Sequence, residues 1–236
     1  MSDFDRNVAA GRGGYADRAV AIDAGLRAYM ISVYNYMAAA VALTGVVAWF
    51  TYNAGVVVSG PMMLVLFLAT LGLVFFISFR IQTLSFTAAI SLFMVYAALL
   101  GVVLSTIFAA YTGASITRVF FISAASFGAL SLYGYTTQRD LSPIGSFLIM
   151  GVIGIVIAGL VNIWLASSAL QFALSVVGVL VFAGLTAYDT QQIKEMYDVQ
   201  DDGTVAGRKA VIGALKLYLD FINLFLSLLQ LFGDRR

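Results

Sequence analysis

From residue 28 to residue 79 the chain contains no Asp, Glu, Lys or Arg, and a second such stretch runs from 141 to 188. An apolar run of this kind has one comfortable solvent, the interior of a lipid bilayer, where every backbone N–H and C=O must be paired within a helix or a closed barrel. A helix needs about 20 apolar residues to cross a hydrocarbon core about 30 Å thick, so each stretch has room for two crossings.

Spans are expected near 28–51 and 61–80, separated by the turn residues Asn53, Gly55, Ser59 and Gly60, with Pro61 in the first turn of the second helix. A third is expected near 86–110, ended by Tyr111, Thr112 and Gly113, and a fourth near 117–135, closed by Arg139 and Asp140. The stretch from Pro143 to Tyr188 divides at Ala166, Ser167 and Ser168, and a last span runs from about Val211 to Phe232. This predicts an all-α polytopic membrane protein of seven spans, with a polar tail over 1–27, a transmembrane domain over 28–233 and a short tail at 234–236. The first 27 residues carry eight charges and no apolar core of a signal peptide, so they read as a polar tail.

Composition supports the assignment. Hydrophobic residues make up 61% of the 236 and charged residues 11%, with a mean hydropathy of +0.96, well above the roughly 45–50% apolar content of soluble domains. The near-even balance of 13 basic and 12 acidic residues offers no broad positive surface for nucleic acid. With neither Cys nor His, the chain cannot form disulfides, thiolate nucleophiles, histidine triads or His/Cys metal sites, and any bound cation must take oxygen ligands.

Basic residues set the expected orientation. With seven spans, one side receives Arg6, Arg12, Arg18, Arg27, Arg80, Arg139, Lys194, Arg208, Lys209 and Lys216, and the other only Arg118, Arg235 and Arg236, a ten-to-three division of the 13. This predicts a cytoplasmic N-terminus and an external C-terminus. A shallow or re-entrant last segment is the alternative, because two of the three arginines on the far side are terminal. Trp49, Tyr52, Tyr111, Tyr135 and Trp164 fall at predicted span ends, as interfacial aromatics do.

All acidic residues but two lie in a tail or a loop. Asp189 ends the sixth apolar run in GLTAYDTQQIK, and Asp220 lies inside the seventh in LKLYLDFINLF. A carboxylate at such depth costs at least about 2.5–3.5 kcal/mol, so it is expected to face protein or water. On a helix, Lys216, Asp220, Asn223 and Ser227 fall within about 60° of one another, with Gly213 beside them, one polar stripe suited to a cavity.

Since the sixth span leaves and the seventh enters by one face, Asp189 and Asp220 are expected to meet. Two close carboxylates in a low dielectric tend to share a proton, which makes the pair pH-sensitive, and their oxygens suit a hard cation such as Ca²⁺. The purely structural reading has Asp189 capping a helix end and Asp220 forming an ion pair with Lys216 one turn away. Arg80 and Arg118 read first as interfacial arginines, and Asn35 and Asn162 as interhelical hydrogen-bonding residues.

LTAYDTQQIKEMY, LYLDFINLFLSLLQLFG and SLYGYTTQRDLS closely resemble the pattern of the Bax inhibitor-1 family, and NYMAAAVALTG and FFISFRIQTLS are similar to it, so the likeness covers about residues 30–233. The resemblance implies two three-helix groups around a central seventh helix, and a pH-sensitive Ca²⁺ leak gated by a pair of aspartates matching Asp189 and Asp220. It further implies an arginine of the second helix latched to that pair, for which Arg80 is the candidate. A bacterial cytoplasmic membrane is the expected location, although the family likeness also allows an endomembrane.

The connection between the two aspartates, DVQDDGTVAGRKA, is longer than the family pattern and is expected to be a loop that brings Asp198, Asp201 and Asp202 to the cytoplasmic mouth, where they either attract cations or are simply solvated. An intramembrane aspartyl protease is the enzymatic alternative, weakened because LYLD stands where GxGD is required. A retinal-binding lysine at 216 lacks a counter-ion in the third span. A non-conducting regulator that binds other membrane proteins, linked to protein quality control or cell survival, is the remaining alternative.

Overall fold

The computed structural model describes the backbone of residues 3–236 and the side chains of residues 23–236. Up to residue 22, the side chains of the expected polar tail lie outside the described residues. Eight helices follow in order: α1 (Asp3–Asn53), α2 (Gly60–Arg80), α3 (Phe86–Leu104), α4 (Thr106–Ala110), α5 (Gly113–Thr136), α6 (Ser142–Leu165), α7 (Ser168–Glu195) and α8 (Gly203–Phe232). Among the described residues seven segments are long and apolar enough to cross a membrane, α3 and α4 forming one of them, and the chain is an all-α, multi-pass membrane protein. The sixth span is therefore α7 and the seventh α8.

Local chemistry explains the boundaries. Pro61 and Pro143 stand in the first turns of α2 and α6, where a missing N–H is harmless. Hydroxyls of Ser85, Thr112 and Ser167 accept from Ala88 N, Ser115 N and Leu170 N, and the Asp202 carboxylate accepts from Thr204 N and Val205 N, capping α3, α5, α7 and α8. The α6–α7 break expected at Ala166 is a left-handed residue, φ 47°, with Asn162 Oδ1 accepting the Ser167 N–H at 3.0 Å. Asn162 thus closes a turn and does not bridge helices, while Asn35 is exposed.

Four boundaries differ from expectation. The third span is not one continuous helix: Ser105 Oγ and Thr106 Oγ1 bond back to Val102 O and Val103 O, and such side-chain competition bends the helix where α3 gives way to α4. The fourth span begins earlier, at the Thr112 cap. α7 continues past Asp189 to Glu195, which removes the reading of Asp189 as a helix-end cap. Finally, most of the supposed long loop is helix, because Asp202 starts α8 well before Val211.

α8 is the core of the bundle. In its most apolar window 67% of residues are buried, against 11% in α2 and in α6, whose outward faces leave Phe67, Phe79, Ile157 and Trp164 for lipid. α8 packs against α1, α3, α5 and α7, whereas α2 leans mainly on α3 and α6 on α7. Tyr218 is fully buried at this centre, edge-on to Phe93 and Tyr96, with its hydroxyl 2.7 Å from Thr44 Oγ1. α5 meets α7 at Gly134, where any Cβ would strike the Ala187 carbonyl.

The two ends of the bundle are tied differently. At one end Arg208 donates to Gln82 O and Leu84 O, joining the start of α8 to the α2–α3 turn. At the other, the terminal residues form a strap: Asp234 N donates to Ser115 Oγ, Thr112 N to Asp234 O, Arg236 N to Ala110 O, and Arg236 Nη1 to Tyr52 Oη. α8 therefore crosses the whole bundle, which sets aside the re-entrant alternative. Arg118 pairs with Asp234 at 2.9 Å, and Tyr111, expected as an interfacial anchor, is instead buried beneath Arg235.

Thr44→Val leaves the Tyr218 hydroxyl buried without a partner, whereas Tyr218→Phe leaves Thr44 its carbonyl acceptors Ala40 O and Ala97 O. The expected losses are about 1–3 kcal/mol for Thr44→Val and about 0.5–1.5 for Tyr218→Phe. Thermal unfolding in detergent checks this order; equal midpoints would contradict it.

Candidate functional site

α7 and α8 lie close enough that a Cβ on Gly178 would press on the Ser227 hydroxyl, and one on Gly213 would crowd Ile193. The approach brings the α8 stripe against α7. Lys216, Asp220, Asn223 and Ser227 line, together with Asp189, a single cavity of about 530 Å³, walled on its third side by apolar residues and Gly159 of α6. Asp189 and Asp220 thus face one cavity from neighbouring helices. This is the juxtaposition expected from the sequence.

Exposure orders the three charged groups. The Lys216 side chain is 42% exposed and that of Asp189 13%, while Asp220 as a residue is 4% exposed. Lys216 is thus the outermost and Asp220 the innermost. Lys216 Nζ lies 3.5 Å from Asp189 Oδ1, an ion pair between helices and not the one-turn pair with Asp220 that the spacing offered. The long lysine stem reaches across to α7, while Asp220 sits a turn further along α8. Asp220 Oδ2 is buried with no hydrogen-bond partner among the described residues. In an apolar setting an unpaired oxygen of this kind needs a proton, a cation or water.

Arg80 is not brought to the pair. It is exposed at the end of α2 and has no ion-pair partner among the described residues; the cation beside Asp189 is Lys216. Nor do the loop acids form a cation-attracting mouth. Asp201 pairs with Lys209 at 2.6 Å, Asp202 caps α8, and Asp198 accepts the Gln200 N–H. Among the described residues no group of three or more acids could hold a metal, so a hard cation at Asp189 and Asp220 would need neutral oxygens and water as well. The Asn223 amide donates to Leu219 O, which leaves its carbonyl oxygen as the group with unused capacity.

Sequence reasoning missed the residues that hold this site in place. Gln230 continues the α8 stripe and accepts from Ser175 Oγ at 2.7 Å, closing the polar lining at the far end of the cavity. Its spacing from Ser227 was a readable signal. Around Asp189, Thr190 Oγ1 meets Ser131 Oγ at 2.9 Å, which in turn meets Tyr34 Oη at 2.6 Å, linking α7, α5 and α1. Gln191 accepts from Leu141 N and donates to Arg139 O, both at 2.8 Å, and Lys194 Nζ donates to Tyr135 O at the end of α5. Only the contacts, and not the residue types, distinguish these side chains from solvated ones. Outside the membrane, Asp140 accepts the Ser142 N–H, which holds its carboxyl below the usual carboxylate range at the start of α6.

Comparison with known proteins agrees with this architecture. The family model described as inhibitor of apoptosis-promoting Bax1 matches residues 26–236. The inner membrane protein YbhL of Escherichia coli K12 is 49% identical over 228 residues, covering 94% of this chain and 97% of that one. The protein RP147 of Rickettsia prowazekii is 47% identical over 219 residues, covering 91% and 92%. A protein of Caulobacter vibrioides is 41% identical over the full length of both chains. The chain belongs to the Bax inhibitor-1 family.

Gln191→Leu strips partners from the buried Leu141 N–H and from the C=O of the exposed Arg139, and the expected cost is about 1–3 kcal/mol, carried by the buried N–H. Hydrogen exchange at Leu141 should speed up in the variant; unchanged protection there would show that Gln191 does not hold the connection.

Proposed function

We propose that this member of the Bax inhibitor-1 family is a pH-sensitive leak pathway for Ca²⁺ in a bacterial inner membrane, gated by Asp189 and Asp220. One observation carries the reading: two carboxyl groups from neighbouring helices meet in a membrane-embedded cavity, and the inner one has an oxygen with no partner. Carboxyls so placed hold one proton between them, and together with Lys216 this makes the closed cavity neutral. Loss of the proton, or arrival of a hard cation, changes the charge between α7 and α8 and biases one helix arrangement over another. Asn223, Ser227 and Gln230 continue the polar lining towards the far end. Arg80, exposed on the peripheral helix α2, enters the gate only in an arrangement in which α2 has moved.

The basic residues gathered at the Arg80 and Arg139 end support a cytoplasmic N-terminus, and the name of the YbhL relative supports an inner membrane. The cysteine-free chain makes this directly testable. Gln200→Cys should react with a membrane-impermeant maleimide only in inverted vesicles and Val57→Cys only in right-side-out ones; the reverse pattern would invert the topology.

For the gate, the wild-type chain and the variants Asp189→Asn and Asp220→Asn are reconstituted into liposomes with an internal Ca²⁺ indicator. Expected are Ca²⁺ entry that varies with pH in the wild type, and a change of about tenfold or more with loss of that pH dependence in either variant, corresponding to about 1.4 kcal/mol. Flux unaltered by both substitutions would remove the mechanism.

A further inference from the structure

Lys216 stands on the more exposed side of the two aspartates. Its ammonium is the outermost charged group of the cavity and lies against Asp189, while Asp220 lies deeper. From α8 the cavity receives Lys216 and Asp220, from α7 Asp189, and from α6 no charge. We infer that Lys216 is a tethered competitor, an ammonium that occupies the cation position beside Asp189 and must be displaced before a divalent ion can reach the two carboxylates. The inference rests on the proposed reading of this pair as a cation site, and it names what sets that site's affinity.

The chemistry favours displacement over permanent structure. A contact of 3.5 Å made by a side chain 42% exposed is an open ion pair, the kind that holds weakly. Lysine carries a compact charge on a flexible four-carbon stem, so the ammonium can swing out without backbone movement. A divalent ion brings twice the charge to the same oxygen and recruits further oxygens from Asp220, Asn223 and Ser227, which lysine does not reach in this structure. Competition of this kind lowers apparent affinity and keeps the cavity free of cation until its concentration rises.

The test is equilibrium binding of Ca²⁺ to the full-length protein in detergent. All proteins are compared at about pH 8 and again at about pH 9, so that competition by protons for the pair is followed alongside competition by the ammonium. Wild type is compared with Lys216→Met, Lys216→Gln and Lys216→Arg. The expected result is a Kd about tenfold or more lower in the Met and Gln variants, with the Arg variant within about twofold of wild type, since tenfold corresponds to about 1.4 kcal/mol. The second neutral variant keeps the test open if one of them fails to fold. Equal affinity in all four proteins, an Arg variant that shifts as far as Met, or no Ca²⁺ binding by any of them would each overturn the inference. Absence of Ca²⁺ flux from the wild type alongside the expected shift in Kd would instead overturn the leak reading and leave the competitor role standing.

Discussion

A helix with Lys216, Asp220, Asn223, Ser227 and Gln230 on one face cannot turn that face to hydrocarbon, where a single carboxylate costs at least about 2.5–3.5 kcal/mol. Among the described helices α8 is accordingly the one most enclosed by the others, and the remaining packing follows from enclosing it. Its apolar side is buried, with Tyr218, Phe221 and Phe225 among aromatic rings of α3 and α5. Its polar side needs a neighbour with polar groups of its own, and α7 supplies Asp189 and Ser175. Glycine at 178 and 213 then allows the close approach that lets a lysine on one helix reach an aspartate on the other.

Span number, most span limits and the meeting of the two aspartates were legible because each depends on a one-dimensional property. Charge-free length sets the number of crossings, proline and small polar residues mark their ends, and a shared membrane face brings adjacent helix ends together. What was not legible depends on choices among equivalent partners. Lys216 had two acids within reach, one a turn away on α8 and one across on α7, and spacing favours the first. Arg80 and Lys216 were both cations at the correct end, and only the fold shows that α2 lies at the periphery while α8 lies at the centre. The cluster of Asp198, Asp201 and Asp202 looked like a loop because acidic residues and a glycine are turn signals; a helix cap uses the same residue types.

The segment around Asp189 shows how many neighbours one short polar run can address. Asp189 faces the cavity, Thr190 faces α5 and α1, Gln191 holds the α5–α6 connection, and Lys194 satisfies a terminal carbonyl of α5. Successive positions on a helix point about 100° apart, so a short polar run inevitably addresses several neighbours at once. A carboxylate on a membrane helix needs such neighbours to fix its backbone, so the run around Asp189 serves packing as much as the acid itself.

The ties at the two ends decide where the bundle can yield. α8 is anchored at its start by Arg208 on the α2–α3 turn and at its finish by the strap of Asp234 and Arg236 on Ala110, Thr112, Ser115 and Tyr52. α7 is fixed by Thr190, Gln191 and Lys194. By contrast α6 leans mainly on α7 and contributes an uncharged, glycine-containing wall to the cavity. Moving that wall breaks few polar contacts, whereas separating α7 from α8 breaks the Lys216–Asp189 pair and the Ser175–Gln230 bond together. Parting α7 from α8 is therefore the costlier movement in polar contacts, and α6, which gives the cavity no charge, is the wall that moves most cheaply.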